Sequence, residues 1–317
     1  MLNKNGRFVL SELKISSWNI NGVWQRINSF RYNKLQDPEV LNIISKKHIF
    51  GILETHHTGD EIGNLHVTDY KCFSLCRPKE KNMKKYKPSG GLAVYVHQSI
   101  REGVTKVPMG GTECIVLKLK QHFFGTKSDI YLCFSYCVPS NSPGLARSSC
   151  SDGQIVLLGD MNARTKTMAD FIINEDNEYV PVPPSEMYET DTVETKCRNN
   201  CDEGFNSYGP KLIDLCKTVP LRILNGRTIG DLFGKFTCFR HNGNSAVDYA
   251  AVSPSLVQSI RYFSVCEPKL YLSDHSPIEV CLKVNAVFSQ KQSQYTLLPK
   301  PNKFYGISNL LINSNIS

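Results

Sequence analysis

Short apolar runs that each end in polar residues are the dominant pattern along the chain. The clearest run is 155–158, four apolar residues with no polar alternation, which is typical of a strand covered on both faces. Because the run stops at Gly159, Asp160 and Asn162 are predicted to stand at the carboxyl end of a buried strand. A carboxylate there can orient or deprotonate a water molecule, but an Asx turn that merely ends the strand explains the same residues equally well.

A strand, a helix and a second strand are predicted in the first part of the chain. Residues 14–22 indicate a strand that runs into a polar turn beginning at Asn19. The Asp-Pro pair at 37–38 predicts the start of a helix, since proline is tolerated in a first turn. Residues 49–53 then predict a strand that leads into Glu54. Strand ends of this kind gather at one edge of a sheet, where sites usually form.

Further apolar runs predict more strands. The strand at 130–137 places Tyr136 near the same edge, and Asn242 followed by glycine is a hairpin turn signal. The connection 140–154 is barely long enough for the crossover between two parallel strands, and it lacks a helical pattern. The other predicted elements are a helix at 208–217 and strands at 70–75, 91–96, 113–119, 221–224, 236–239, 246–252, 260–266 and 277–284.

Length and composition are those of an ordinary globular protein. The chain has 317 residues, of which 41% are hydrophobic and 21% charged, enough for one large core or two modest ones. We expect no membrane span and no signal peptide, because no apolar run has the required length or position. Twelve cysteines without such a signal indicate reduced thiols in an intracellular protein. A zinc site at Cys197 and Cys201 stays open as an alternative, although structural zinc needs four ligands.

The net charge of +8 is unevenly distributed. Residues 174–203 hold nine acidic and two basic residues, a balance of −7, so the rest of the chain carries +15. A strongly basic body favours a polyanion such as nucleic acid as partner. The acidic stretch is predicted to be a solvated insertion away from any nucleic-acid face. The basic stretch 77–87 is either a solvated loop or a phosphate-contacting arm.

Acidic side chains occur at the ends of several predicted strands. If Glu54, Asp160, Asp248 and Asp274 converge on one edge, their charges repel unless a cation lies among them. Oxygen ligands suit Mg²⁺, which usually binds through one or two carboxylates and keeps its waters for phosphate. The pattern therefore points to hydrolysis of a phosphate ester.

Six motifs, in this order along the chain, resemble those of the endonuclease/exonuclease/phosphatase superfamily. They lie at 18–22, 54–56, 89–94, 159–162, 247–249 and 273–277. The Asn-Ile-Asn-Gly and Glu-Thr-His forms are similar to the endonuclease domain of LINE-type (non-LTR) retrotransposons. The resemblance implies a DNase I-like α/β fold, a four-layered α/β/β/α sandwich of two face-to-face mixed sheets.

The resemblance also implies catalytic roles. Asp160 would align and activate the attacking water, and Asn162 would hold a phosphate oxygen. His275, oriented by Asp248, would stabilise the charge that develops on the scissile phosphate, with Tyr136 as a further contact. The implied reaction is nicking of DNA, which leaves a 3′-hydroxyl and a 5′-phosphate.

Metal and substrate ligands follow from the same resemblance. The implied cofactor is Mg²⁺, or Mn²⁺ in its place, and the hairpin tip at Asn242 would probe the minor groove. The implied metal ligands are Glu54, Asn19 and Asp274, and the implied substrate-binding residues are Thr237, Arg240, Asn242 and Asn21.

Two other functions stay open. The first is a phosphatase or phosphodiesterase that acts on small phosphoesters with the same fold. The second is a catalytically impaired retrotransposon-derived remnant that binds DNA or protein, because 140–154 is shorter than the usual helical crossover of the superfamily. The chain also lacks the Tyr/Phe-x-Asp-Asp motif of a polymerase.

The domain organisation is predicted to be simple. We expect an N-terminal extension at 1–13, one domain at 14–284 and a disordered or loosely attached tail at 285–317. DNA is the expected partner, without a membrane or an obligate protein partner, and the protein is expected to be a monomer. A DNA substrate would place this intracellular protein in the nucleus.

Overall fold

The computed structural model describes residues 8–76, 90–111, 113–137, 153–172 and 197–288. Three predicted features lie wholly or largely outside these ranges: the basic stretch 77–87, the connection 140–154 and the acidic stretch 174–203. No described helix has the length and apolar character needed to cross a membrane. The eleven cysteines of the described ranges are free thiols. Within those ranges neither Cys197 nor Cys201 belongs to a cluster of potential metal ligands.

Sixteen strands and three α-helices form within the described residues. The helices are α1 (Pro38–Ser45), α2 (Gln121–Phe124) and α3 (Tyr208–Thr218). The strands are β1 (Phe8–Asn19), β2 (Trp24–Ile27), β3 (Phe30–Asn33), β4 (Ile49–Leu53), β5 (Tyr70–Leu75), β6 (Leu92–His97), β7 (Val104–Val107), β8 (Cys114–Leu119), β9 (Ile130–Tyr136), β10 (Gln154–Asp160), β11 (Arg222–Ile223), β12 (Cys238–Arg240), β13 (Gly243–Ser245), β14 (Asp248–Val252), β15 (Ile260–Val265) and β16 (Ile278–Phe288).

Two six-stranded mixed sheets contain most of these strands. The first has the order β15-β16-β1-β4-β6-β5, and its β1 and β4 are parallel. The second has the order β11-β14-β10-β9-β8-β7, and its β9 and β10 are parallel. The pairs β2–β3 and β12–β13 form two small hairpins. Each parallel pair brings two carboxyl strand ends to one edge of its sheet.

The two sheets pack face to face around the largest hydrophobic cluster. Leu13 of the first sheet and Leu132 of the second belong to this cluster, and both are fully buried. At Gly51 of β4, a Cβ would lie 2.2 Å from the ring of Phe134 on β9. The sheets therefore approach so closely there that only glycine fits without repacking.

Helices cover the outer faces of the sandwich. Val40 of α1 packs with Phe50 of the first sheet, whereas Leu212 of α3 packs with Leu157 of the second. The helix α1 begins as predicted, because the Asp37 side chain accepts the backbone N–H of residue 39 at 2.8 Å. The four layers are α/β/β/α, and this confirms the predicted fold class.

The outer limits of the fold differ from the prediction. The strands β1 and β16 pair antiparallel from Phe8 and Phe288 onward. Residues 8–13 and 285–288 are therefore strand, where an extension and a tail were predicted. The reason is that the two ends of the domain stabilise each other, and a pairing across the whole chain leaves no local sequence pattern.

Candidate active site

The predicted site residues lie where the carboxyl ends of β1 and β10 meet. In the second sheet, Asp160 pairs with Asp248 on one side and with Tyr136 on the other. The Asn19 side chain, at the end of β1, donates a hydrogen bond of 2.9 Å to the Asp160 carboxylate. Four predicted residues from both sheets therefore converge at one edge of the sandwich.

Gly159 allows β10 to present Asp160 at this edge. Its φ is +154°, and a Cβ would lie 1.8 Å from the carbonyl oxygen of Ser135 on β9. A residue with a side chain does not tolerate this approach. The glycine that ends the apolar run is therefore required by the packing of the backbone.

Asp160 is a buried carboxylate with a raised pKa. Its surface is 1% exposed, and its oxygens accept the side-chain N–H of Asn19 and the backbone N–H of Asn162, both at 2.9 Å. Burial, reinforced by the charge of Asp248, raises the pKa of Asp160 from 3.8 to about 7, against the opposing effects of His275 and the two hydrogen bonds. A carboxylate with a pKa near neutrality is suited to accept a proton at neutral pH.

His275 and Asp248 form a buried pair beside Asp160. The His275 Nδ1 lies 2.8 Å from an Asp248 oxygen, and its Nε2 lies 4.0 Å from an Asp160 oxygen. Burial opposes the charged ring, but the charge and hydrogen bond of Asp248 outweigh it and hold the pKa of His275 well above its usual value. A cation therefore faces the Asp160 carboxylate.

Contacts to the backbone fix the loop that carries His275. The Trp18 indole N–H donates to the His275 carbonyl at 2.7 Å. The Ser273 hydroxyl accepts the His275 N–H at 3.1 Å and donates to the Asn19 carbonyl at 2.6 Å. Ser273 lies in a predicted motif, but its bridging role between two site loops was not foreseen.

The Thr237 side chain holds the backbone at Asp248 in place. Its hydroxyl accepts the backbone N–H groups of Val247 and Asp248 at 3.1 and 3.0 Å. Thr237 is 0% exposed. This position allows it to stabilise the backbone of Asp248, and its predicted role in substrate binding stays a prediction.

Asn162 is held beside Asp160 in a left-handed conformation. Its φ is +48°, and its side-chain N–H donates to the Cys137 carbonyl at 2.8 Å. Its own carbonyl accepts the side-chain N–H of Asn206 at 2.7 Å. The contact with Cys137 fixes the carboxamide and the contact with Asn206 fixes the backbone; the role of Asn162 toward a phosphate oxygen stays a prediction.

Asp274 links the first sheet to the β12–β13 hairpin. It accepts the side-chain N–H of Asn21 at 3.2 Å and the Nε–H of Arg240 at 2.9 Å. Burial raises the pKa of Asp274, but His275 and Arg240 lower it more strongly, so that the pKa lies below its usual value. Arg240 and Asn242 are both exposed on the hairpin. These predicted substrate-binding residues therefore border the buried pair on its solvent side.

Lys34 belongs to the site but was missed in the sequence. Its side chain is buried, and Nζ donates to the carbonyls of Ile20 at 2.6 Å, Asn21 at 3.3 Å and Leu272. Burial lowers the pKa of Lys34 to about 8, against the attraction of Asp274. The lysine ties the turn after β1 to the loop before β16. In the sequence it looks like any surface lysine, so no local signal marks it.

The oxygen ligands predicted for a metal surround one turn. The Gly22 N–H donates to the Glu54 carbonyl at 2.7 Å, and the Asn21 N–H donates to the Asn19 side chain at 3.0 Å. The Asn21 side chain in turn contacts Asp274. Two carboxylates and a carboxamide, the side chains of Glu54, Asp274 and Asn19, are types of donor that suit Mg²⁺ or Mn²⁺.

A second group of potential metal ligands is fully buried. The ligating atoms of Asp160, Asp248 and His275 lie within 4.8 Å of one another and could hold a metal ion. Nδ1 of His275 is already hydrogen-bonded to Asp248. This arrangement suits a protonated histidine at least as well as a metal ligand.

Several solved structures share this fold. The AP endonuclease LMAP from Leishmania major has a TM-score of 0.56 and 16% identity over 86% of this chain and 88% of its own. The APE2 catalytic domain from Xenopus laevis has a TM-score of 0.56 and 14% identity over 88% of this chain and 94% of its own. The endonuclease domain of TRAS1, a telomere-specific non-LTR retrotransposon, has a TM-score of 0.50 and 13% identity over 86% and 99%.

Comparison of the amino-acid sequence alone finds no related protein. No protein-family model matches the chain, and no curated protein matches it. The structural likeness nevertheless covers most of this chain and of each similar structure. The chain therefore has the DNase I-like α/β sandwich fold of these structures.

Proposed function

We propose that this protein is a metal-dependent endonuclease that nicks DNA and leaves a 3′-hydroxyl and a 5′-phosphate. One observation carries the proposal: the His275 ring, held as a cation by Asp248, lies 4.0 Å from Asp160, whose pKa is near neutrality. The carboxylate can accept a proton from water, while the imidazolium stabilises negative charge in the same space.

The reaction follows from these two charges. Asp160 accepts a proton from water as the water oxygen bonds to phosphorus. The bond from phosphorus to the 3′-oxygen breaks, the leaving oxygen takes up a proton from solvent, and Asp160 then releases to solvent the proton that it accepted. His275 stays protonated beside Asp248 and stabilises the charge on the phosphoryl oxygens, while Asn162 holds one of these oxygens by its carboxamide.

A divalent cation would complete the charge balance of the site. Glu54, with Asn19 and Asp274, would hold Mg²⁺ or Mn²⁺, which neutralises charge on the phosphate when it is bound. Without it, the carboxylates at this edge repel a phosphodiester. Activity should therefore require the cation.

DNA is the proposed substrate because of the charge of the chain and the names of similar structures. The chain carries +8 overall, and Arg240 and Asn242 are exposed on the hairpin beside Asp274. A basic surface favours the DNA backbone. The names of two similar structures, an AP endonuclease and a retrotransposon endonuclease domain, point in the same direction. All of the proposed site residues belong to one chain, so we propose a monomer. A DNA substrate would place it in the nucleus.

Nicking of a supercoiled plasmid tests the proposal. The purified protein should convert the plasmid to open circles with Mg²⁺ and not with EDTA, and DNA ligase should reseal the nick if its ends are a 3′-hydroxyl and a 5′-phosphate. Asp160→Asn should abolish nicking because it removes the proton acceptor. Asp214→Asn is the matched control, since Asp214 is an exposed aspartate on α3. Nicking that survives Asp160→Asn would remove the assignment.

A substrate series separates DNA from small phosphoesters. Turnover on duplex DNA, abasic DNA and inositol phosphates should be compared at equal protein concentration. Dominant turnover of an inositol phosphate, lost with Asp160→Asn, would keep the chemistry but overturn the proposed substrate.

A further inference from the structure

An open cleft of about 520 Å³ lies beside the candidate active site. Asn21 and Asp274 line the cleft and also belong to the site described above. The other walls come from the β2–β3 hairpin, the β12–β13 hairpin and the loop before β16. Its volume lies within the roughly 300–1,000 Å³ that is usual for small organic ligands.

Three aromatic rings from separate elements line this cleft: Trp24, Phe239 and Tyr271. Tyr271 is 53% exposed, and its neighbour Leu270, which also lines the cleft, is 63% exposed. Flat apolar surface left open to solvent at a polar site is a typical feature of a binding surface. The exposed Tyr271 ring therefore offers a face on which a planar group can stack, and Phe239 and Trp24, one face of which carries Arg31, also line the cleft.

Surrounding contacts hold two of these rings in place. The Arg31 guanidinium lies 4.1 Å from the centre of the Trp24 ring, and Arg31 is itself bonded to Glu61. The Tyr271 hydroxyl donates to Glu39. A surface held in this way loses little conformational freedom when a ligand binds.

Polar groups at the rim fit a nucleotide. The Arg240 side chain, 56% exposed, brings a guanidinium to the edge of the cleft, where its Nε is paired with Asp274. Asn21 and Gln25 also line the cleft. Their carboxamides each donate one N–H within the protein, to Asp274 and to the Tyr271 carbonyl, and carboxamides can pair with the edges of bases through their other N–H and their oxygen. Aromatic faces beside positive charge are the combination that binds unpaired nucleic acid strands.

We propose that this cleft binds an unstacked nucleobase of the DNA strand next to the bond that the site cleaves. The inference rests on the proposed nuclease function and adds a preference for the form of the substrate. A base within a regular duplex has both faces covered by its neighbours, so it cannot enter. The protein should therefore prefer DNA in which a base is already unpaired.

Binding in EDTA tests this preference without cleavage. Fluorescence anisotropy should compare a duplex that carries a one-nucleotide bulge with a fully paired duplex of equal length and salt. Stacking of one base corresponds to roughly 5- to 150-fold in affinity, so the bulged duplex should bind at least about fivefold more tightly. Tyr271→Ala should remove most of this preference and Tyr271→Phe should keep it. Phe30→Ala should also keep it, because Phe30 is an exposed ring on β3 outside the cleft.

Tryptophan fluorescence adds a direct readout. The chain has only two tryptophans, and Trp18 is buried. The bulged duplex should quench the emission of the wild type, and Trp24→Phe should remove this quenching while it keeps a stacking ring.

The possible outcomes separate the two proposals. Equal affinity of the wild type for both duplexes, or a preference that survives Tyr271→Ala, would overturn the inference about the cleft. If plasmid nicking persists in that case, the proposed function stands. Failure of the wild type to bind either duplex and to nick a plasmid would overturn both.

Discussion

Replacing Asp160 by asparagine is expected to stabilise the fold while it abolishes catalysis. The carboxylate is buried, and its pKa is raised from 3.8 to about 7. One pKa unit corresponds to about 1.4 kcal/mol, so at pH 8 the ionised group destabilises the folded state by about 4 kcal/mol. Asp160→Asn removes this penalty but loses the hydrogen bond from Asn19, which contributes about 1 kcal/mol. The expected net gain at pH 8 is about 3 kcal/mol.

The stability that Asp160→Asn gains over the wild type should increase as pH rises. Below about pH 4, Asp160 is protonated in the folded and the unfolded state, and above about pH 7 it is ionised in both. Between these values the unfolded state releases its proton first, so the stability of the wild type falls as pH rises. Asp160→Asn lacks this dependence. Its advantage should therefore shrink to less than about 1 kcal/mol at pH 5.

Urea unfolding in EDTA at pH 5 and pH 8, followed by circular dichroism, measures both effects. Asp202→Asn is a control of opposite sign. Burial raises the pKa of Asp202, but its ion pair with Arg164 and two backbone hydrogen bonds lower it below the usual value. The stability that Asp202 contributes is present above the unfolded pKa and is lost as pH falls, so Asp202→Asn should destabilise the protein at pH 8. An Asp160→Asn protein that is no more stable than wild type at pH 8, or equally favoured at pH 5, would refute this reasoning.

Three further perturbations should have defined effects. Gly159→Ala should destabilise the fold by about 3 kcal/mol or more in urea titrations, because the new Cβ would meet the Ser135 carbonyl; wild-type stability would contradict the described strand packing. Asp248→Asn should lower the pKa of His275, since burial then acts without the opposing carboxylate, so any residual nicking should rise as pH falls; a pH–rate profile like that of wild type would count against the pair. Mg²⁺ at a hundred times its Kd should stabilise the wild type by about 2.7 kcal/mol in thermal unfolding, and Glu54→Gln should remove this shift; an unchanged shift would exclude Glu54 as a ligand.

Much of the fold could be predicted because its central strands are apolar on both faces. The runs that became β4 and β10 show no alternation, so their limits and their polar ends could be read directly from the chain. Asn19, Asp160, Asp248 and His275 could be named by the resemblance of their motifs, and the structure brings them together. Their catalytic roles stay predictions.

The β2–β3 hairpin could not be predicted from apolar pattern, because both strands are largely exposed. The available signal was the turn at Asn28 and Ser29, whose φ values are +45° and +72°. Two successive left-handed residues are typical of a tight hairpin turn. Trp24, which lines the cleft, belongs to this hairpin and so was overlooked.

Long-range contacts explain the remaining differences. Thr237 was assigned to substrate binding because of its place in a motif, whereas its hydroxyl is used by the backbone of Asp248. Lys34 acts through carbonyls of two loops that are distant in the chain. Neither partnership follows from neighbouring residues, so only the three-dimensional structure could show them.

The hydrogen bonds from Asn19 to Asp160 and from His275 to Asp248 both run from one half of the sandwich to the other. Neither half of the sandwich carries all four of these side chains. The proposed activity should therefore depend on how the two sheets are positioned, and a small displacement of one sheet against the other should abolish it before the protein unfolds.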